Sequence, residues 1–103
     1  MVAHVIVKLV NEQHMGEFYF RPDQVATARS LLATGQYRMA SECYMALEGT
    51  DAAEEMFDVT NNPSRGAERV RVFESQRSLS VGDIVEVNGV PFLCASQGWE
   101  QLV

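Results

Sequence analysis

The sequence predicts an α+β fold: a mainly antiparallel sheet, two helices and a C-terminal β-meander. Three observations carry this prediction. Short runs of β-branched and aromatic residues recur towards both ends of the chain. Few stretches repeat their apolar residues at helical spacing, and the tail is punctuated by turn residues at close intervals. The 103 residues, 47% hydrophobic and 21% charged, fit a single domain spanning 1–103.

Residues 2–10, "VAHVIVKLV", are short and rich in β-branched side chains, which predicts a strand. "NEQHMG" reads as a turn and "EFYFR" at 17–21 as a second strand, together a hairpin. Pro22 and Asp23 suit the opening of a helix over 22–34, with Val25, Ala28, Leu31 and Leu32 on one face and Gly35 closing it. The segment 36–47 fits both periods. Alternation gathers Tyr37, Met39, Ser41, Cys43, Met45 and Leu47, whereas helical spacing gathers Met39, Ala40, Cys43, Tyr44 and Leu47. The tyrosines and the missing N-cap favour a strand. Asp51 with Glu54 reads as a capping box that opens a helix ending at Thr60-Asn61, with Ala53, Met56, Phe57 and Thr60 turned inward. "NNPSRG" breaks the chain, and "ERVRVF" at 68–73 alternates like a strand.

The tail, "RSLSVGDIVEVNGVPFLCASQGWEQLV", reads as a meander. Ser80, Gly82 and Asp83 form a turn, "IVEV" is a strand, and Asn88-Gly89 is a type I′ hairpin turn. "VPFLCAS" returns, Gln97-Gly98 turns again, and "WEQLV" closes the sheet.

Charge and composition narrow the function. The net charge is −6, with 14 acids against 8 bases, which disfavours nucleic acid as a partner. The acids cluster: Glu48, Asp51, Glu54, Glu55 and Asp58 follow one another without a base, and Arg65, Arg69, Arg71 and Arg77 come next, a pattern that fits a solvated face with local ion pairs or an acidic surface for a basic partner. No apolar run approaches the roughly 20 residues of a membrane helix. The N-terminus lacks the basic and small-residue pattern of a signal peptide, so a cytoplasmic protein is expected, with no membrane partner. Cys43 and Cys94 are expected as buried thiols rather than a disulfide. With His4 and His14 isolated, no metal and no cofactor is expected.

Several motifs also carry a family resemblance. "YRMASECYMALEG" and "AAEEMFDVTNN", followed by "RSLSVGDIVEVNGVPFLCASQGWEQL", resemble the YodL-like small proteins of phages, plasmids and integrated elements. The carrying positions are Phe57, Thr60 and Asn61, then Ser78, Ser80, Val81, Gly82 and Asp83, then Gly98, Trp99 and Leu102. The likeness covers about 36–102, and the tryptophan many members carry after Thr-Asn is missing from "NNPSRGAERV". It implies a mobile-element origin and no particular reaction, the group being largely uncharacterised.

Ser80 and Asp83 could set a hydroxyl beside a carboxylate, but serine chemistry also needs a base and an oxyanion hole. The turn reading is stronger, with Ser78, Ser80, Gly82 and Asp83 as turn residues whose polar side chains bond to backbone. Gly98 and Trp99 end the motif, and Trp99 is expected to pack on the sheet and close the meander. No residue set specifies an enzyme. The expected function is binding of a host or element-encoded protein, as by an inhibitor of anti-CRISPR or anti-restriction type, with Glu48, Asp51, Glu54, Glu55 and Asp58 as its contacts. The alternative is a nucleic-acid accessory factor using Arg65, Arg69, Arg71 and Arg77, with Trp99, Phe92 or Tyr37 stacking on bases. A homodimer by pairing of the N-terminal strands is a further expectation.

Overall fold

A computed structural model describes residues 2–73 and 76–102. Five antiparallel strands form one sheet in the order β2-β1-β3-β4-β5. They are β1 (Ala3–Val10), β2 (Tyr37–Met45), β3 (Ile84–Val87), β4 (Val90–Ala95) and β5 (Gly98–Gln101). Four helices lie among them: α1 (Glu17–Phe20), α2 (Gln24–Ala33), α3 (Gly49–Asn61) and α4 (Gly66–Phe73). The α+β class and the C-terminal meander are as the sequence predicts, but there are two helices more.

Alternation along β1 divides the core between the two faces of the sheet. Val5, Val7 and Leu9 point to one face, where they meet Val85, Val87, Ala52, Ala53 and Met56, together with Phe73 of α4. On the other face Val10, Ile84 and Leu93 pack on Phe18 of α1 and on Ala28 and Leu31 of α2. Helices therefore cover both faces. Among the described residues no helix is long and apolar enough to cross a membrane.

Two expected strands are helical. Residues 17–21 cannot extend β1 into a hairpin, because β1 already pairs with β2 on one side and β3 on the other. A single helical turn instead drives Phe18 into the core and leaves Tyr19 66% and Phe20 88% exposed. The fit there is close. A Cβ on Gly82, whose φ is +101°, would stand 2.6 Å from the Phe18 ring.

Residues 68–73 belong to α4. The Asn62 side chain accepts the Ser64 N–H at 3.1 Å, and Pro63 occupies the first turn, so the segment read as a breaker is a helix start. Helical spacing then brings Arg65 onto Glu68 and sets the Arg69 guanidinium 5.7 Å from the Phe73 ring centre. Val70, which a strand would have buried with Val72, is left exposed.

The other elements differ in their ends. Helix α2 starts at Gln24, with Asp23 outside it as the N-cap, its Oδ1 accepting the Ala26 N–H at 3.0 Å. At the far end the Gly35 N–H reaches Leu32 O and the Gln36 N–H reaches Leu31 O, the paired bonds of a Schellman ending. The capping box expected at Asp51 and Glu54 does not form. The helix begins two residues earlier, at Gly49, with Glu48 as a cap that makes no side-chain bond.

Segment 36–47 resolves as the strand β2, at one edge of the sheet. Ala40 is an extra residue there, since Val7 pairs with Ser41 while Lys8 pairs with Met39. The Gln76 side chain donates to the Ala40 carbonyl. A bulge capped in this way blunts the edge against a further strand. The pair of N-terminal strands invoked for a homodimer is absent, because β1 is interior. At Asn88-Gly89 both φ angles are positive, at 51° and 83°, as a type I′ turn requires. The Asn88 Oδ1 accepts the His4 N–H at 2.9 Å, which ties that turn to β1.

Candidate functional site

The turn before β3 is built around Asp83. Its carboxylate is fully buried and accepts the backbone N–H of Val10 at 2.9 Å and of Ser80 at 2.8 Å. Arg77 donates to both carboxylate oxygens, at 2.7 and 2.8 Å, and reaches the Val10 carbonyl as well. Hydrogen bonding to Asp83 raises the Arg77 pKa above its ordinary value against the opposing effect of burial. Burial foremost, with the Asp83 charge, pushes the Tyr37 phenol up, and its hydroxyl donates to Gly82 O at 2.7 Å. Every acceptor direction of Asp83 is thus turned inward, and its bond to Ser80 uses the backbone, not the hydroxyl.

The end of α3 holds the same turn from the other side. Thr60 Oγ1 accepts the Leu79 N–H at 3.1 Å, and Asn61 Nδ2 donates to the Leu79 carbonyl at 3.0 Å. Ser78 Oγ donates to Thr60 O at 2.7 Å, and Arg69 donates to that same carbonyl and to the carbonyl of Gln76. The last two residues of α3 therefore hold 78–79 through their side chains and the Thr60 carbonyl. Thr60-Asn61 and the turn that begins at Ser78 are thus one hydrogen-bonded unit.

The acidic residues of α3 divide into three groups. Glu55 and Asp58 close on Arg65 at 2.7 and 2.9 Å, with Glu68 on the same guanidinium at 2.6 Å. Hydrogen bonds from Arg65 hold the Glu55 and Glu68 carboxyls below the usual range, and the acids in turn raise the Arg65 pKa. Glu54 turns the other way and accepts the Trp99 indole N–H at 2.8 Å. Glu48 and Asp51 are exposed at the start of the helix, and their carboxylates make no hydrogen bond or ion pair among the described residues.

The arginines are mostly engaged. Arg65 is held by acids, Arg69 by carbonyls and Arg77 by Asp83, which leaves Arg71 without a bonded partner among the described residues. Of the rings offered for stacking on bases, Phe92 is buried and Tyr37 bonds to Gly82. His4 and His14 lie against Glu42 and Glu17, away from the Ser80 turn.

Between α3 and the β4–β5 hairpin lies a cleft of about 420 Å³. Phe57, Leu79, Val81, Cys94 and Trp99 make its apolar walls, with Trp99 set edge-on to Phe57 at 6.4 Å between ring centres. Glu54, Asn61, Ser80 and Ser96 supply its polar atoms. Burial foremost, with the charges of Asp83 and Glu54, pushes the Cys94 thiol up to about 12, so it stays protonated at neutral pH. No disulfide is formed, since Cys43 and Cys94 are both free. Among the described residues no group of three or more metal-ligating side chains comes together.

Of the sequence-derived candidates, the cleft unites Glu54, Ser80, Gly98 and Trp99. It leaves Ser78, Gly82 and Asp83 beneath as support and Glu48 and Asp51 on the outer end of α3. Leu79, Cys94 and Ser96 were not singled out as contacts, and nothing in their spacing marks them. Phe57, Asn61, Ser80, Val81, Gly98 and Trp99, scattered over three stretches of the chain, converge on this one cleft.

The chain matches no family model, and no curated protein and no solved structure is significantly similar to it.

Proposed function

We propose that this protein acts by binding a basic surface of a protein partner through the acid-bearing end of α3. Such a role suits a small mobile-element product that blocks a host defence effector, of anti-CRISPR or anti-restriction type. The observation that carries the reading is the state of the charges. Glu48 and Asp51 stand exposed and unpaired, Glu54 faces the neighbouring cleft, and the compensating arginines are engaged elsewhere. With a net charge of −6, the protein favours encounter with a cationic surface. The nucleic-acid alternative loses support from the same facts, because Arg71 alone of its four proposed contacts carries no bond among the described residues.

The test is capture from a bacterial host lysate at low and at raised salt, comparing the protein with an E48Q/D51N/E54Q variant. A defence-system component retained at low salt, released at high salt and lost with the variant supports the reading. Partners held equally by both proteins would overturn it.

A further inference from the structure

The cleft beside α3 has a polar lining of one chemical character. Asn61 directs its amide nitrogen to the carbonyls of Phe57 and Leu79, both at 3.0 Å, and to Thr60 Oγ1 at 3.2 Å. Since carbonyls can only accept, the orientation of this amide is fixed. Its Oδ1 is left with no bond among the described residues. Glu54 gives Oε2 to the Trp99 indole, and its Oε1 is likewise unbonded. Ser80 Oγ is the third unbonded oxygen. No lysine or arginine is among the residues that line the cleft. A carboxylate and a fixed carbonyl oxygen thus sit beside an indole and a phenyl ring, without a cation to satisfy them.

We infer that this cleft receives an arginine side chain of the partner, with its guanidinium donating to Glu54 and Asn61 and lying against Trp99. This rests on the protein-binding reading and specifies its central contact. Arginine fits better than lysine for three reasons. Its planar fork carries five donors, which suits several separated acceptors. Its flat face stacks on an aromatic ring, and tryptophan is the best such partner. Its weaker hydration makes entry into a half-apolar cleft less costly than for an ammonium. At about 420 Å³ the cleft lies near the small end of ligand sites, which run roughly from 300 to 1,000 Å³. That suits a single side chain better than a large ligand. An anion is disfavoured, because Glu54 would repel it.

Trp99 is the only tryptophan, so its emission and its single indole N–H resonance report on this cleft alone. The probes are N-acetylated tetra-arginine amide and its tetra-lysine counterpart, titrated into the intact protein at low salt. A saturable change in both Trp99 signals with tetra-arginine, clearly weaker with tetra-lysine, is the expected result. E54Q should weaken it roughly tenfold or more, the scale of losing a charge-assisted bond. Glutamine keeps an oxygen for the indole N–H, so the fold should survive; the wild-type indole resonance tests the site even if it does not. Should tetra-arginine bind with the Trp99 signals unmoved, and E48Q/D51N abolish that binding, the cleft is wrong and the acidic-face reading stands. Equal responses to both peptides, or none to either, would also overturn the arginine site.

Discussion

Arg77 closes on Asp83 with both terminal nitrogens, at 2.7 and 2.8 Å, inside the protein. The carboxylate also anchors β1 through the Val10 N–H and the turn through the Ser80 N–H. One buried ion pair therefore ties the 77–83 turn to β1, whose Val10 lies 73 positions before Asp83. A buried pair of this kind adds little over apolar packing, but losing one partner strands the other charge. D83N should destabilise the protein by about 3–5 kcal/mol. Adding R77M should recover part of that loss, because the stranded cation is gone. Urea unfolding of the three proteins checks this, and a D83N midpoint close to that of wild type would refute it.

Thr60 and Leu79 give a second, smaller test. Among the described residues the Thr60 hydroxyl is the sole acceptor of the buried Leu79 N–H. T60V keeps the shape and removes that acceptor, which should cost about 1–3 kcal/mol, the range for an orphaned buried polar group. T60S keeps the hydroxyl and should lie much nearer wild type. Similar midpoints for the valine and serine variants would show that the bond does not hold the turn.

The difference between what the sequence foretold and what the chain adopts has a physical pattern. Local signals were sufficient for β1, for α2 between Asp23 and Gly35, and for the Asn88-Gly89 hairpin. They failed at 17–21 and 68–73, where aromatic content and alternating valines fit a strand. Those segments are helical because β1 has no free side and because Phe18 and Phe73 are wanted at single points in the core. The candidate site fared similarly. The acids of α3 and the arginines after them read either as local ion pairs or as one acidic surface, and both hold in part: Arg65 takes Glu55 and Asp58, while Glu48 and Asp51 stay free of it. The contact between Glu54 and Trp99 spans 45 positions and leaves no trace in spacing. Arg77 read as a nucleic-acid contact because nothing local shows that Asp83 will be buried beside it.

Gly82 and Phe18 should behave as a coupled pair. A methyl group at Gly82 meets the Phe18 ring at 2.6 Å, and the positive φ adds strain of its own. G82A should therefore destabilise by about 1–3 kcal/mol, the usual cost of overpacking. F18L alone should also destabilise, by opening space beneath the turn. The double variant should be more stable than the sum of the two losses implies, since leucine vacates the ring atoms that the methyl group meets. Thermal unfolding of the full cycle decides this, and strict additivity would mean that backbone strain alone sets the cost of G82A.

Arg65 should shape the acid side of the stability curve. Its hydrogen bonds, the largest cause, hold Glu55 and Glu68 below the ordinary glutamate value, with burial opposing them. As pH falls, the unfolded chain takes up these protons first, near the ordinary value of about 4.3. The folded protein takes them up only at lower pH. In that window the unfolded state binds more protons, so stability declines as pH drops. The contribution is complete above the window and lost below the lowered folded values. R65Q removes the cause, so its stability should fall less steeply below about pH 5 while starting lower at neutral pH. Both glutamates are largely in contact with water, so raised salt should shrink the difference between the two proteins. Urea midpoints measured from pH 7 down to 3 test the sign. An unchanged slope in R65Q would show that the acids titrate alike in the folded and unfolded chains.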